Sequence, residues 1–434
     1  MFKVTFIGAG STIFAKNTLG DLLIDPTLKD YEIALYDIDE NRLDESYRML
    51  KAIQKKYGSQ AKIIKYKDRK ASLRSADFII NAIQVGGYEP STVIDFEIPK
   101  KYGLRQTIGD TLGIGGIFRA LRTIPVLEEM AKEIHEVCPN ALFLNYTNPM
   151  AMLTGYLIEH LKINAIGLCH SVQVCVKHLF ETLDMADDLE DVQWKIAGIN
   201  HQAWLLEVKD KNGKDLYPKI KQRSLNDAYN KDWDLVRHDM MHRFGYYITE
   251  SSEHLAEYLP WYIKKDYPNL IEHYKIPLDE YPRRCVVQIK DWETQRELLV
   301  NVDELEHERS EEYAAPIIKA MIFDESIVIH GNVMNNNYIP NLPKEACVEV
   351  PCLINKDGVF PSFGEELPFV LAAINQTNIT VQVLTMEAAK NRNRELVYQA
   401  AYMDPHTSSE LSMDDIKAMC DDLFHAHSDY ISGY

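Results

Sequence analysis

Apolar and polar positions over the first 170 residues fall into two alternating kinds of block. Short apolar runs at Lys3–Ile7, Tyr31–Tyr36, Phe78–Ile83, Ala141–Tyr146 and Ala165–Leu168 predict buried strands. Between them the apolar residues recur at helical spacing, which predicts helices over Phe14–Ile24, Glu40–Tyr57, Ile117–Val137 and Pro149–His160. Strand and helix in alternation predict an α/β fold with a doubly wound parallel sheet. After about residue 190 the pattern changes. Trp194–Glu207 and Val348–Leu353 read as strands, 228–330 as mostly helical and aromatic-rich, and 365–427 as helical. The change divides the chain into an N-terminal unit, 1–190, and a C-terminal α+β lobe, 191–434, with a cleft between them.

The first strand–turn–helix carries G-A-G-S-T-I (8–13), the context that a dinucleotide fingerprint requires. Gly8 permits the tight turn, and Gly10 and Ser11 bring the backbone and a hydroxyl to a pyrophosphate on the helix N-terminus. The third glycine of the fingerprint is replaced by Ile13, so this helix packs differently. Asp37 ends the second strand, where a carboxylate accepts from ribose hydroxyls and repels a 2′-phosphate. NAD is therefore expected rather than NADP.

Composition narrows the partners. No apolar run is long enough for a membrane span. The N-terminus enters a strand directly, without a leader, so a protein that stays in the cytoplasm is expected. Seven cysteines, an odd number without close pairing, argue for a reducing compartment and against a disulfide framework. A net charge of -18 argues against nucleic acid and anionic membranes, both of which need a basic stripe. A small neutral or cationic substrate fits the charge better.

Several residues carry candidate chemistry at the strand ends. N-Y-T-N-P (145–149) closes one strand, and Asn148 either points its amide into the cleft or makes an Asx turn capping the next helix. Cys169 follows the next strand, and with His201 it offers soft ligands to a transition ion. By spacing alone, a lone cysteine and a lone histidine are more often a buried thiol and a satisfied core imidazole. His170 is a candidate proton donor. Glu250, Glu253, His254 and Tyr258 cluster within Gly245–Tyr258 and offer a base, or else a charged helix face. Asp110, in the glycine-rich D-T-L-G-I-G-G (110–116), either sits over a sugar hydroxyl or caps the helix that follows. The chain lacks G-x-S-x-G, a P-loop lysine motif and H-E-x-x-H.

A longer set of strings resembles a known family. They are G-A-G-S-T-I-F (8–14), Q-V-G-G-Y-E-P (84–90), D-T-L-G-I-G-G-I-F-R-A-L-R-T-I-P (110–125), L-N-Y-T-N-P-M-A-M (144–152), G-L-C-H-S-V-Q (167–173) and A-G-I-N-H (197–201). T-E-S-S-E-H (249–254), L-D-E-Y-P (278–282) and M-D-P-H-T (403–407) follow in the same order. Together they look like glycoside hydrolase family 4, and most like its α-galactosidase (melibiase) branch, over essentially the whole chain.

The resemblance implies a lactate/malate-dehydrogenase-like Rossmann domain joined to a substrate lobe, with NAD and a divalent ion, usually manganese. It places the metal ligands on Cys169 and His201, a substrate-binding asparagine on Asn148 and an arginine near the site on Arg284. His170 stands where some members carry an aspartic acid, and the base falls on Glu250 or His254. Ser91-Thr92-Val93 replaces the arginine of the phospho-glycosidases, so a phosphorylated sugar is disfavoured. The implied route oxidises the sugar at C3, deprotonates C2, eliminates the glycosidic oxygen from C1, adds water and reduces C3 again. This family stands outside the two-carboxylate scheme of most glycosidases. An α-glucosidase or α-galacturonidase of the same family, an NAD-dependent hydroxy-acid dehydrogenase and a non-catalytic NAD sensor are the rival readings. The family favours a homodimer or homotetramer.

Overall fold

In a computed structural model of the chain, all residues are described except 227, 230 and 432. The described residues contain twelve strands in one sheet. In chain order they are β1 (Phe2–Ile7), β2 (Tyr31–Tyr36), β3 (Lys62–Tyr66), β4 (Phe78–Asn81), β5 (Leu142–Asn145), β6 (Ala165–Gly167), β7 (Gln193–Ile199), β8 (Gln202–Lys209), β9 (Tyr247–Ile248), β10 (Ile327–Met334), β11 (Cys347–Asn355) and β12 (Gly358–Pro361). The first six pair in parallel in the order β3-β2-β1-β4-β5-β6, the strand order of a dinucleotide-binding sheet. The sheet then continues antiparallel through β10, β11, β7, β8 and β9, with β12 on β11. The α/β expectation is met, and the sheet runs on past residue 190 without a break.

Local chemistry explains many of the elements. In the helix Glu40–Tyr57, Asp39 caps the start by accepting from the Asn41 and Arg42 amides. Gly58, at φ 69°, ends the same helix in the left-handed region. β1 and β4 are almost wholly buried, as central parallel strands are.

Several boundaries differ from the sequence expectation. The first helix spans Thr12–Leu23 rather than Phe14–Ile24, because the glycine turn delivers the chain into helix two residues earlier. β3, K-I-I-K-Y, was not foreseen; it is a sheet-edge strand whose lysines point to solvent and break up the apolar signal. The helix expected from Ile117 begins at Gly113. A Cβ on Gly115 would lie 2.2 Å from the Gly109 carbonyl oxygen, and one on Gly116 2.8 Å from the Thr111 carbonyl carbon. The glycines that weaken the helical signal are thus what allow loop 107–111 to lie against the helix. The mostly helical stretch 228–330 is interrupted by β9 and ends in β10. Among the described residues no helix is long and apolar enough to cross a membrane.

Candidate active site

Parallel strands share a C-terminal edge, so the segments leaving β1, β4, β5 and β6 all emerge on one side of the sheet. At the end of β1 the Gly8 and Ala9 amides donate to the Tyr36 carbonyl at 3.0 Å. Gly8 has φ 87°, and a Cβ there would lie 2.5 Å from the Ala82 carbonyl oxygen. The Gly10 amide donates to Asp37 Oδ2 at 2.6 Å, and Asp37 Oδ1 accepts from the Asp39 amide at 2.8 Å. Each carboxylate oxygen keeps a second lone pair for another donor. Ser11 holds the N-cap position but makes no side-chain cap bond, and the first helical turn has no acidic residue. The turn therefore offers unshielded N–H groups and a hydroxyl to an anion. Ile13 is 41% exposed, so its side chain does not wedge helix from strand. Gly8→Ala is expected to lower stability by about 2–4 kcal/mol, since a positive φ and a backbone clash coincide; urea denaturation measures it.

A second group gathers at the ends of β6 and β7. Cys169 lies two residues beyond β6, and His201 sits in the two-residue turn between β7 and β8. Cys169 Sγ is 3.4 Å from His201 Nε2, and Glu250 Oε2 is 4.0 Å from the same nitrogen. Ligand atoms of the three residues lie within 4.8 Å of one another. His201 and Glu250 have φ of 61° and 66°. Such backbone costs a non-glycine residue roughly 1–3 kcal/mol, and the fold sustains it twice at one place. His201 Nδ1 is 3.3 Å from the Tyr258 hydroxyl, which leaves Nε2 for the side facing Cys169.

Burial sets the protonation states here. It pulls the His201 imidazole down to about 4 against the opposing Glu250 charge. It pushes the Cys169 thiol well above its usual value, reinforced by Glu250 and Glu349. A thiolate here therefore calls for a cation beside it. Burial also opposes ionisation of Glu250, but His201 and His254 outweigh it and hold the carboxyl below its usual range. A sulfur, a nitrogen and a carboxylate oxygen at this spacing suit a divalent transition ion.

The remaining candidates adjoin this group. His254 Nδ1 is 3.4 Å from Glu250 Oε1 and 3.0 Å from Ser251 Oγ, and Nε2 faces Asp110 Oδ1 at 3.9 Å. The His201 and His254 rings meet edge to face at 4.5 Å. Asn148 Nδ2 donates to Asp110 Oδ2 at 3.1 Å, and the helix after Pro149 has no side-chain cap, so the Asx-cap alternative is not realised. The Asn148–Pro149 peptide is cis. Burial works against the Asp110 charge, but Arg119 and His254 prevail and keep the carboxyl below its usual range. His170 stands at the rim with its side chain 57% exposed, 3.9 Å from Glu312. Arg284 donates to Glu253 at 2.7 Å and to Glu280 at 2.6 Å.

Three residues here escaped the sequence reading. Arg119 is buried and donates to the Tyr281 hydroxyl at 3.4 Å. Glu257 is buried against loop 107–109. Glu349 lies in a row across the sheet, Gly167–Asn332–Glu349–Gly198, that links the strands leading to Cys169 and to the His201 turn. Its signal was a lone acid in the apolar run C-V-E-V-P-C-L-I (347–354).

Two family models together match nearly the whole chain: the family 4 glycosyl hydrolase over residues 3–185, and the family 4 glycosyl hydrolase C-terminal domain over 196–407. The chain belongs to glycosyl hydrolase family 4. It is 58% identical over 434 residues to an α-galactosidase of Bacillus subtilis, covering 100% of each. Its fold matches the 6-phospho-β-glucosidase of Thermotoga maritima solved with manganese, NAD+ and glucose-6-phosphate, with a TM-score of 0.79, 23% identity and 99% of each chain covered. It also matches malate dehydrogenase of Plasmodium falciparum, with a TM-score of 0.52 and 14% identity over 92% of this chain and 100% of that one. The expected family and the dehydrogenase-like sheet are both borne out.

Proposed function

We propose that this family 4 protein is an NAD- and manganese-dependent α-galactosidase acting on terminal α-galactosides. The observation that carries the reading is the convergence of Cys169, His201 and Glu250 beside His254, Asp110 and Asn148, on the same sheet edge as the glycine turn. The 58% identity to an α-galactosidase supports the sugar. In this reading Gly8, Gly10, Ser11 and Asp37 hold NAD, and Cys169 and His201 hold the metal with Glu250. When bound, NAD supplies a reversible hydride acceptor for the sugar C3, and the cation polarises the neighbouring oxygens.

The side chains do the rest. Asn148 and Asp110 orient the sugar hydroxyls. His254 takes the C2 proton at Nε2, and the Asp110 carboxylate facing that nitrogen stabilises the imidazolium. Tyr258 is set aside as base, because burial pushes its hydroxyl well up and its oxygen faces His201 Nδ1. His170, at the exposed rim, gives its proton to the departing glycosidic oxygen. Arg284 stays near the sugar as a substrate contact. The division into a nucleotide unit over 1–190 and a substrate lobe over 191–434, a cytoplasmic site of action and a homodimer or homotetramer belong to the same proposal.

The test is hydrolysis of a panel of nitrophenyl glycosides with NAD, manganese and thiol, run in deuterated water. The α-galactoside should be cleaved, and the released galactose should carry deuterium at C2. Cleavage without deuterium at C2 rejects the elimination route, and net NADH accumulation without sugar release would favour a dehydrogenase.

A further inference from the structure

Loop 107–111 carries Asp110 into the site, and one buried carboxylate organises it. Glu257 Oε2 accepts from the Thr107 amide at 2.9 Å, and Oε1 accepts from the Gly109 amide at 2.9 Å. The Ile108 amide between them lies 3.3 and 3.2 Å from the two oxygens. Three consecutive backbone N–H groups therefore converge on one carboxylate, an anion nest whose occupant is supplied by the protein itself. Gly109 takes φ 57° to close the loop. One turn earlier on the Glu257 helix (Ser252–Tyr258), the Glu253 carbonyl accepts from Thr107 Oγ1 at 2.7 Å.

The helix that grips the loop also bears His254, three residues before Glu257. The loop's next residue is Asp110, which faces His254 Nε2 at 3.9 Å and accepts from Asn148 at 3.1 Å. The carboxylate thus fixes Asp110, in the loop before the helix Gly113–Val137, against His254 on the helix Ser252–Tyr258. Glu257 itself is 4% exposed, with both carboxylate oxygens on the loop amides. Burial pushes its carboxyl up to about 7, against the pull of His254 and the loop amides. The fold keeps an acid here at that cost, where a neutral side chain of similar size would fill the space.

We propose that Glu257 is a positioning residue: by clamping the Thr107, Ile108 and Gly109 amides it sets the Asp110–His254 geometry and so governs turnover rather than binding. This rests on the reading of Asp110 and His254 as substrate-handling groups. Its range is short. A displacement of about 1 Å in such a pair costs up to about a hundred-fold in rate.

Glu257→Gln keeps the shape but turns an N–H₂ toward the loop amides. With NAD, manganese and a nitrophenyl α-galactoside, kcat should fall about ten- to hundred-fold, with KM within about threefold of wild type. The same change in an Asp110→Asn background should cost little more than Asp110→Asn alone, because residues acting as one unit are not additive. Wild-type kcat in Glu257→Gln, or a full multiplicative loss in the double variant, overturns the proposal. If Glu257→Gln does not fold, Glu257→Asp carries the same expectation, since it withdraws the charge by one methylene. If the wild type itself cleaves no glycoside, the functional reading fails, and amide exchange decides the clamp. Exchange over 107–111 should then be faster in Glu257→Gln with other segments unmoved, and unchanged exchange there overturns it.

Discussion

Cys169→Ser is expected to slow α-galactoside hydrolysis about a thousand-fold or more, because several kcal/mol of charge stabilisation by a bound cation is forfeited. The substitution is nearly isosteric, and the new hydroxyl still reaches Ser171, whose Oγ lies 3.2 Å from the present sulfur. Folding should therefore be little disturbed, and the loss reports on ligation. Sulfur is the soft donor of the set, whereas a serine hydroxyl at neutral pH is a poor ligand for a transition ion. Chelation should silence the wild type to the same degree. Added manganese should restore the chelated wild type and leave the variant inactive. Retention of more than a tenth of the rate by Cys169→Ser, or full activity after chelation, removes Cys169 from the ligand set.

Glu349→Gln should make the metal-free protein more stable in alkali, by as much as roughly 5 kcal/mol at about 1.4 kcal/mol per pH unit. Burial, reinforced by Glu250, pushes the Glu349 carboxyl up to about 8 against the Asn332 and Asn200 amides. Asn332 Nδ2 donates to its Oε1 at 3.1 Å. The unfolded chain releases this proton near 4.5, the ordinary value. Between that pH and about 8 the folded form holds the extra proton, so stability declines as pH rises through the window and then levels. Glutamine has no proton to lose. The variant should match the wild type near pH 4.5 and pull ahead up to about pH 8. Urea denaturation across pH measures the gap, and parallel curves for the two proteins would show that Glu349 titrates normally. The buried acid thus costs stability beside the Cys169–His201–Glu250 group, the kind of cost a fold carries at a functional site.

The glycine turn and its acid were legible because their determinants are local. Gly8, Gly10 and Asp37 belong to one strand–turn–helix–strand, and the structure joins the Gly10 amide to Asp37 at 2.6 Å. Cys169 and His201 were paired from the sequence as soft ligands, but only the family's strings favoured that reading over a buried thiol and a core imidazole. Their 3.4 Å approach depends on β10 and β11, which come more than a hundred residues later yet lie between β6 and β7 in the sheet. Glu250 stood in the sequence as a base or a face charge; the fold sets it beside the cysteine and histidine.

What the chain determined by itself was every feature written in neighbouring residues: the apolar periodicities, the caps, the glycine turn and the acid closing β2. What only the tertiary structure decided was every feature that depends on a contact across the sheet or between lobes. Glu257 and Glu349 look like ordinary acids in sequence. Their roles come from three loop amides about 150 positions away in one case and from the interior of a sheet row in the other. The physical reason is range: hydrogen-bond geometry along a turn is set within a few residues, whereas burial and charge pairing depend on which distant segments the hydrophobic core draws together.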